Sequence, residues 1–373
     1  MLEKRILINY LSVASGGAIT YLKNITPHLL DMEKKDSSRR VRIKILVNEA
    51  QLSYLSSDID RNRVVVVKTR TGIKRLVWEH IKLPAIVKEN NIDVVFTPYQ
   101  VTKLVHNVCN VIMVRNMEPF TFSKYKYSFK TWLRNHVLKF KTIQTVKNSD
   151  KVIAVSEYVR EHIVNNGYAS KNNVAQIYHG RDVSFHPDIT DYDKDALISI
   201  GLTSPYVFTC GSLLPYRKCE DIIEAFLKLE GRNGMKLVVA GSGSDANYGG
   251  MLRTMSEKSD DIIMLGQVAH DLMTILFRNC HVFVTATETE ACPNIAIEAM
   301  SSGCSILSSD IAPMPEMFAG AAELYKYGDV DQLAEKLARY IDLPKQRNID
   351  AIKRAEEFTW AKCAHQTYKY ITN

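Results

Sequence analysis

The most informative stretch of the chain reads TATETEACPNIAIEAMSSG, from Thr285 to Gly303. An apolar strand ends near Thr287, an acidic loop follows it, and a helix begins at Pro293 or Asn294. Proline suits the first turn of a helix and glycine the position just past its end, so we expect the helix to end before Gly303. The stretch therefore predicts one strand–loop–helix unit of an α/β domain.

The same stretch carries side chains that suit a charged sugar ligand. The N-terminus of the helix offers free N–H groups and the positive end of the helix dipole, which favour a diphosphate. Glu298 lies about one turn into the helix, where its carboxylate can accept bonds from two neighbouring hydroxyls, such as those of a ribose. Glu290, in the loop, can do the same for a sugar. The alternative is that both glutamates are ordinary exposed residues on an ordinary helix.

Short apolar runs alternate with helical runs on both sides of this stretch. The runs are rich in β-branched residues and almost unbroken in apolar character, which is typical of strands buried on both faces of a parallel sheet. In the first half, helices are predicted at 20–33 and 73–90, and strands at 5–11, 41–48, 64–68, 94–98, 111–115, 152–156 and 174–178.

A second series follows a polar stretch at 186–204. Its helices are predicted at 221–229, 272–277 and 294–302, and its strands at 206–210, 236–240, 262–266, 282–287 and 305–309. We therefore expect two doubly wound α/β domains, over 1–185 and 186–355, and a terminal helix over 356–373. Tandem α/β domains usually bind ligands at the carboxyl ends of their strands, so the chemistry should lie in loops that follow strands.

Length and composition agree with this plan. The 373 residues suit two domains of roughly 150–200 residues each. The seven cysteines are odd in number and show no CxxC spacing, which argues against a disulfide framework or a zinc site. The N-terminus turns polar after one short apolar run and no window suits a spanning helix, so a cytoplasmic protein is expected.

A basic segment stands out in the first half. Between Lys103 and Lys147 there are nine cations and one anion, Glu118. Aromatic residues are interleaved with the cations, which indicates an anionic surface as partner: a membrane, a phospholipid-like acceptor or a nucleic acid. The alternative is a solvated helix face. The cations are Lys103, Arg115, Lys124, Lys126, Lys130, Arg134, Lys139, Lys141 and Lys147, and the aromatics are Tyr125, Tyr127, Phe129, Trp132 and Phe140.

Taken together, the motifs resemble those of the retaining glycosyltransferases of family 4, which have the GT-B fold. Glu290, seven residues and Glu298, followed by Ala-Met and a small-small-Gly stop, resemble the donor motif of that family. Other landmarks fall in the expected order over nearly the whole chain. They are Gly16-Gly17 after the first strand, His179-Gly180 after the last strand of the first half, and the segment GSLLPYRK, from Gly211 to Lys218.

The resemblance implies a role for each matching position. Arg217 and Lys218 would bind the diphosphate and neutralise the leaving nucleotide, Glu290 would hold the hydroxyls of the donor sugar, and Glu298 those of the ribose. The terminal helix would cross back onto the first domain. The positions with a backbone or flanking role are Gly16, Gly17, Asn294 and Ile295 for the diphosphate, sugar or acceptor, and Gly241, Gly243 and Val268 for the base.

Two positions depart from the family pattern. Ser212 stands where the family often has arginine, which leaves open whether Arg217 or Lys218 supplies the missing charge. Asn116 stands where the family often has histidine, in the loop after the fifth strand. An amide can hydrogen-bond the donor sugar but cannot act as a base. That suits a mechanism in which the leaving phosphate helps to deprotonate the acceptor, with Glu118 as an outside candidate for a base.

The resemblance implies transfer of a hexose-type sugar, with retention, from a UDP- or GDP-sugar to a glycan or lipid-linked acceptor. Bacterial surface-polysaccharide or lipopolysaccharide assembly, on the inner face of the membrane, is the natural setting. No metal and no cofactor beyond the nucleotide-sugar are expected, and no nucleic acid partner. Four Asp-x-Asp tripeptides occur, at 58–60, 191–193, 193–195 and 329–331, and we interpret them as turn or helix-start residues.

Three alternatives remain at this point. The first is a sugar-nucleotide epimerase of the same fold. The second is an NAD-dependent enzyme, because the segment GSGSDA from Gly241 to Ala246 fits a dinucleotide fingerprint. Against it, the fingerprint follows the second strand of its half, and Asp261 precedes the next strand where an acidic residue should end it. The third is a basic protein that binds nucleic acid without catalysis.

Overall fold

The computed structural model describes residues 3–14, 16–36, 41–69, 72–121, 129–243 and 245–373. The chain divides into two compact units. The first comprises Met1–Phe120, Thr131–Gly180 and Thr359–Asn373, and the second comprises Thr121–Lys130 and Arg181–Phe358. The sequence had placed these divisions at 185/186 and 355/356. Lys124, Tyr125, Lys126 and Tyr127 of the basic segment lie outside the described residues, as does Ser244 of the GSGSDA segment.

The first unit is built on a parallel sheet of seven strands in the order β3-β2-β1-β4-β5-β6-β7. Its strands are β1 (Lys4–Asn9), β2 (Val41–Asn48), β3 (Val64–Val67), β4 (Val94–Thr97), β5 (Cys109–Val114), β6 (Lys151–Ala154) and β7 (Val174–Gln176). The helices between them are α1 (Gly17–Lys35), α2 (Ile73–Glu89), α3 (Glu118–Thr121), α4 (Phe129–Asn148) and α5 (Glu157–Asn165).

The second unit has a parallel sheet of six strands in the order β10-β9-β8-β11-β12-β13. Its strands are β8 (Tyr206–Cys210), β9 (Lys236–Ala240), β10 (Ile262–Gly266), β11 (Val282–Thr285), β12 (Ile306–Ser309) and β13 (Glu323–Tyr325). Its helices are α6 (Asp191–Ser199), α7 (Cys219–Leu227), α8 (Ala246–Ser256), α9 (His270–Asn279), α10 (Asn294–Ser301), α11 (Met314–Phe318), α12 (Val330–Asp342) and α13 (Ile349–Ala355).

The strand order of the second sheet fixes where a ligand is expected. From β8 the chain moves outward to β9 and β10, and it then returns to the other side of β8 to build β11, β12 and β13. The order therefore reverses between β8 and β11. Ligands of open α/β sheets bind beyond the carboxyl ends of the strands at such a reversal. The loops after Cys210 and Thr285 border this point.

The last helix, α14 (Trp360–Thr372), belongs to the first unit and packs on α1. The Trp360 ring lies edge-on to Tyr21, with 5.8 Å between the ring centroids, and 6.1 Å from the buried ring of His179. A Cβ at Gly180 would lie 2.3 Å from the backbone nitrogen of Trp360. Only glycine fits there, which gives the His179-Gly180 pair a structural reason.

Several elements were not predicted from the sequence, among them α6 and β13. The polar stretch at 186–204 contains α6, and Asp193 of that helix is fully buried against Arg278 of α9. β13 has only three residues. The interpretation of the Asp-x-Asp tripeptides as turn or helix-start residues is confirmed for three of these aspartates. Asp60 and Asp329 cap helical turns, and Asp191 lies in the first turn of α6. None of the described helices is long and apolar enough to cross a bilayer.

Candidate functional site

The loop after β8 folds back so that Arg217, near its end, lies close to Gly211 at its beginning. Gly211 has a φ of +129°, in the region that favours glycine. The chain then makes a short turn through Pro215–Arg217 and enters α7 through Lys218, which is left-handed at φ 52°. An added Cβ at Gly211 would lie 3.6 Å from the guanidinium carbon of Arg217. The Arg217 guanidinium is therefore held at the carboxyl end of β8.

The loop after β11 is tied to the same turn. The backbone N–H of Glu288 donates to the carbonyl of Tyr216 at 2.8 Å. The Thr287 hydroxyl donates to the carbonyl of Thr289 at 3.0 Å, and the carbonyl of Thr287 accepts from Ser309 of β12 at 2.7 Å. These bonds fix the two loops against each other at the point where the strand order reverses.

Arg217 and Glu290 meet where the two loops join. Nη1 of Arg217 lies 2.6 Å from Oε1 of Glu290, and the side chains are 16% and 13% exposed. Burial alone would lower the pKa of Arg217, but attraction to Glu290, together with the charge of and a hydrogen bond to Tyr216, outweighs burial and the pKa is raised. Burial raises the pKa of Glu290, opposed by the charge of Arg217.

This ion pair leaves hydrogen-bonding capacity unused. Nε and Nη1 of Arg217 and Oε1 of Glu290 are buried and make no well-aligned hydrogen bond with the described residues. Buried polar atoms are normally satisfied in folded proteins, and exceptions call for an explanation such as a ligand. A guanidinium with two such nitrogens matches a phosphate, and a carboxylate oxygen matches a hydroxyl.

Glu298 lies about one turn into α10, within the electrostatic reach of Arg217. Burial raises its pKa to about 7, the negative charge of Asp182 adds to the rise, and Arg217 opposes it. Asp182 is itself oriented by neighbours: its carboxylate accepts from the Ser184 hydroxyl at 2.7 Å and lies 3.4 Å from Nε2 of His270. Three carboxylates and one arginine thus share one electrostatic environment.

The N-terminus of α10 follows the same loop. Its N-cap is Pro293, which supplies no side-chain hydrogen bond. The first backbone N–H groups of a helix have no partner within the helix, and those of α10 are the N–H groups of Asn294 and Ile295. The sequence predicted that a diphosphate binds at this helix N-terminus.

Lys218 is paired with a different carboxylate. Its Nζ lies 3.3 Å from Oε1 of Glu220, in the first turn of α7, and Glu220 also accepts from the hydroxyl of Tyr248. Of the two cations that the sequence left as alternatives, Arg217 is the one in contact with Glu290.

The glycines after β9 have a packing role. An added Cβ at Gly241 would lie 1.8 Å from the carbonyl oxygen of Gly211, and one at Gly243 would lie 1.8 Å from that of Leu213. The N–H of Leu213 donates to the carbonyl of Ser242 at 3.0 Å. Close approach of two loops thus accounts for both glycines without a ligand. Nearby, Ser212 is exposed and Val268, past the end of β10, is partly exposed.

The remaining predicted residues belong to the first unit. Gly16 has a φ of +53° with open space around its α-carbon, and Gly17 begins α1. The side-chain oxygen of Asn116 accepts from the N–H of Glu118 at 2.9 Å, and its own N–H donates to Gln100 at 2.9 Å. Asn116 is therefore a well-ordered amide in the loop after β5.

Sequence reasoning missed three residues of the site region. Asp182 lies two positions beyond the His179-Gly180 landmark, and the motif identified in the sequence ended at Gly180. Glu288 precedes Glu290 by two positions, is 8% exposed, and accepts from the hydroxyl of Tyr327 at 2.7 Å. Its acidity was visible in the sequence, but its partner after β13 was not.

Two family models match the chain. The model described as glycosyltransferase family 4 matches residues 16–185, and the model described as glycosyl transferases group 1 matches residues 193–358. The chain belongs to the family 4 glycosyltransferases. Its two parallel sheets are those of the GT-B fold, as the sequence predicted.

Relatives with assigned names cover the chain to different extents. The gpi3 subunit of phosphatidylinositol N-acetylglucosaminyltransferase from Schizosaccharomyces pombe is 25% identical over 63% of this chain and 50% of its own length. An uncharacterised glycosyltransferase of Methanocaldococcus jannaschii is 20% identical over 93% of this chain and 92% of its own. The serotype-specific mannosyltransferase WbdA of Escherichia coli is 19% identical over 66% of this chain and 31% of its own. The chain thus spans half or less of two of these three relatives.

Solved structures share the fold over the full length. WaaG, a glycosyltransferase involved in lipopolysaccharide biosynthesis, superimposes with a TM-score of 0.75 at 13% identity, covering 99% of this chain and 100% of that chain. HepE of Anabaena, in complex with UDP-glucose, superimposes with a TM-score of 0.72 at 15% identity, covering 98% of each chain.

Proposed function

We propose that this member of family 4 transfers a hexose-type sugar, with retention at the anomeric carbon, from a UDP- or GDP-sugar to a glycan or lipid-linked acceptor. The observation that carries the proposal is the Arg217–Glu290 pair. A buried guanidinium and a buried carboxylate, both with unused hydrogen-bonding capacity, stand beside a helix N-terminus where the strand order reverses. That set matches the diphosphate and hydroxyls of a nucleotide-sugar.

Each group then has one task. Arg217 and the N–H groups of Asn294 and Ile295 hold the diphosphate, with Lys218 as a second cation. Glu290 accepts bonds from the sugar hydroxyls and Glu298 from the ribose. The loops at Gly241, Gly243 and Val268 flank the base. HepE, with the same fold, is seen with UDP-glucose, which supports a nucleotide-sugar as donor here.

The transfer reaction needs no side chain of the protein as a general base. The bond between the anomeric carbon and the diphosphate oxygen breaks, and its electron pair leaves with the nucleotide. The acceptor oxygen forms the new bond on the same face of the sugar, and its proton goes to the departing phosphate. The transition state is oxocarbenium-like, so neutralising the leaving group is the main demand on the protein, and Arg217 meets it. The amide of Asn116 can orient the sugar but takes no proton.

The setting we propose is surface-polysaccharide or lipopolysaccharide assembly, with the enzyme on the cytoplasmic face of a membrane. WbdA is a serotype-specific mannosyltransferase and WaaG acts in lipopolysaccharide biosynthesis, and both resemble this chain. The basic segment between Lys103 and Lys147 suits a lipid-linked acceptor at an anionic surface.

Nucleotide release tests the reaction directly. The chain is incubated with UDP- and GDP-sugars, with and without lipid-linked glycan acceptors, and free nucleoside diphosphate is measured. We expect release with one nucleotide series, stimulated by acceptor, and a product with retained anomeric configuration by NMR. Conversion of the donor sugar without nucleotide release would instead identify an epimerase.

A further inference from the structure

The first sheet also reverses its strand order. From β1 the chain moves outward to β2 and β3, and it then returns to the other side of β1 to build β4 and the strands beyond it. The loops after Asn9 and Thr97 therefore border a reversal at the carboxyl ends of the strands, where open α/β sheets bind ligands. Tyr99 lies in the second of these loops, two residues past the end of β4, and is partly exposed.

An arginine supports the ring of Tyr99. The guanidinium carbon of Arg75, on α2, lies 5.6 Å from the centroid of the ring, a distance at which a cation is attracted to an aromatic face. Arg75 is 4% exposed and is held on two sides. Its Nη1 lies 3.0 Å from Oε1 of Glu79, and its Nη2 donates to the carbonyl of Val101 at 2.8 Å. The ring of Tyr99 therefore lies against a cation that is itself fixed.

Glu79 connects this support to the end of β1. Its Oε1 also accepts from the side-chain amide of Asn9, the last residue of β1, at 3.0 Å. Its Oε2 accepts from the Thr102 hydroxyl at 3.1 Å and from the N–H of Lys103 at 3.2 Å. One buried carboxylate thus joins α2, the end of β1 and the segment that follows Tyr99, so both sides of the reversal are held together.

Gln100 connects the same loop to the loop after β5. Its side-chain oxygen accepts from the N–H groups of Arg115 and Asn116, at 3.2 Å and 2.9 Å. Its side-chain nitrogen donates to the carbonyl of Asn116 at 2.9 Å and to the hydroxyl of Thr142 at 3.2 Å. Gln100 is 2% exposed, so these bonds are shielded from water. Tyr99 is therefore held in a fixed position relative to Asn116, whose amide we propose to orient a sugar.

The Tyr99 side chain has little use within its own unit. Apart from its contact with Arg75, it makes no side-chain hydrogen bond and no ring contact with the residues that the structure describes. A partly exposed aromatic ring on a rigid frame suits a carbohydrate, because a pyranose has an apolar C–H face that packs on such a ring and hydroxyls at its rim that bind amides.

We infer that Tyr99 is the platform on which the acceptor stacks, and that the acceptor is a glycan with a pyranose ring at its reacting end. The inference rests on the proposed transfer reaction and names the chemical class of its acceptor. The proposed donor groups Arg217, Glu290 and Glu298 all belong to the second unit, which leaves the reversal of the first sheet to the acceptor. An acyclic lipid alcohol has no ring face to pack on Tyr99.

Saturation-transfer NMR on the full chain tests the platform. The probes are the methyl glycosides of glucose, galactose, mannose and N-acetylglucosamine, with sorbitol as a polyol that lacks a ring. We expect at least one glycoside, and not sorbitol, to bind the parent chain. Tyr99→Phe should keep the affinity within about twofold, and Tyr99→Ala should lower it by about tenfold to a hundredfold. Tyr99→Leu should act like Tyr99→Ala, although it retains apolar bulk.

Tyr54→Ala is the matched control. Tyr54 is also a partly exposed tyrosine of the first unit with a cation over its ring, since Nζ of Lys23 lies 5.6 Å from the ring centroid. It lies in the turn after β2, which does not border the reversal, so its replacement should leave glycoside binding unchanged. Melting temperatures verify that each variant folds, and calorimetry with UDP and GDP follows the donor site.

The outcomes separate the platform from the proposed reaction. Equal glycoside affinity in the parent and in Tyr99→Ala, or an equal loss in Tyr54→Ala, would overturn the platform. So would a parent chain that releases nucleotide from a nucleotide-sugar but binds no glycoside. An equally large loss of nucleotide-sugar affinity in Tyr99→Ala would assign the ring to the donor sugar and overturn it too. Glycoside binding that depends on Tyr99, without nucleotide release from any donor, would support the platform and contradict the transfer reaction.

Discussion

Nη1 of Arg217 lies 2.6 Å from Oε1 of Glu290, and the two groups come from loops that follow adjacent strands of one sheet. Neither atom makes a well-aligned hydrogen bond with the described residues. The pair therefore keeps two opposite charges buried and close together at the carboxyl ends of β8 and β11. A nucleotide-sugar would meet the cation with its diphosphate and the anion with its hydroxyls.

Replacing Arg217 and replacing Glu290 should have different effects on turnover and on nucleotide binding. Arg217→Ala should lower kcat by about a hundredfold to a thousandfold, because the charge that develops on the leaving group loses its donor. It should also weaken binding of a plain nucleoside diphosphate. Arg232→Ala is a matched control, since Arg232 is paired with Asp261 at the start of β10 and outside the candidate site.

Glu290→Gln should lower turnover without weakening the binding of a plain nucleoside diphosphate, because the role proposed for Glu290 is contact with the sugar rather than with phosphate. Calorimetry with UDP and GDP, beside steady-state kinetics with the sugars, separates the two effects. Equal losses of nucleoside diphosphate affinity in the Arg217 and Glu290 variants would count against the division of roles.

Glu298 should make donor binding depend on pH. Burial raises the pKa of its carboxyl to about 7. Because hydroxyls bind an ionised carboxylate more strongly, affinity for the nucleotide-sugar should rise as pH increases through this value and then level off. Glu298→Gln should remove the step. The nucleotide-sugar itself has no phosphate that titrates in this range, so calorimetry about one unit either side of the midpoint isolates the protein group.

The same shift predicts the pH dependence of stability. The folded pKa of Glu298 lies above the ordinary value of 4.5. The stability that protonated Glu298 contributes is therefore fully present below this ordinary value and is lost as pH rises through about 7. Unliganded Glu298→Gln should lose less stability than the parent over this interval, measured by denaturant unfolding. A parallel decline in both proteins would contradict the assigned pKa.

Gly241 and Gly243 should be required for folding rather than for ligand contact alone. Gly241→Ala and Gly243→Ala place a Cβ 1.8 Å from a backbone oxygen, so we expect each to cost several kcal/mol, of the order of 2–4, or to prevent folding. Gly249→Ala and Gly250→Ala are the controls, because both lie within α8 with open space around them. Those should stabilise by about 0.5–1 kcal/mol in thermal unfolding. A normal melting temperature for Gly241→Ala would contradict the close approach of the loops.

Asp193 should anchor α6. Burial opposes ionisation of this carboxylate, but hydrogen bonds from Arg278, Thr190 and Asn279, with the charge of Arg278, together outweigh burial and lower its pKa. Asp193→Ala leaves the Arg278 charge buried and should cost roughly 3–5 kcal/mol of unfolding free energy. Asp195→Ala, two residues further along the exposed side of α6, should change it by less than about 0.5 kcal/mol. Because the folded pKa is lowered, the contribution of Asp193 is present above its usual range and is lost on acidification.

The sequence predicted the sheets well because their strands are nearly pure apolar runs. β2, β8, β9 and β10 begin and end at the predicted residues. It missed α6, since the only residue of that helix with a fully buried charge, Asp193, is polar and its partner lies in α9. The hydrophobic periodicity of a segment cannot predict a contact between residues so far apart in the chain.

In the candidate site too, the residues carried by local motifs could be predicted and the contacts between distant segments could not. Arg217, Glu290 and Glu298 were predicted because local motifs carry them. Asp182 and the Glu288–Tyr327 contact were not, because they depend on which loops the strand order brings together.

Binding of nucleotide-sugars by the parent chain and by a variant with both Arg217→Ala and Glu290→Ala tests the central claim most directly. Thermal unfolding is followed with UDP-, GDP-, dTDP- and ADP-sugars, and with NAD and NADP as controls. We predict that one nucleotide-sugar series raises the melting temperature of the parent, by the equivalent of about 2.7 kcal/mol at a hundredfold excess over the dissociation constant, and leaves the variant unchanged. A shift with NAD or NADP alone, or an equal shift in parent and variant, would contradict the assignment of the donor site to Arg217 and Glu290.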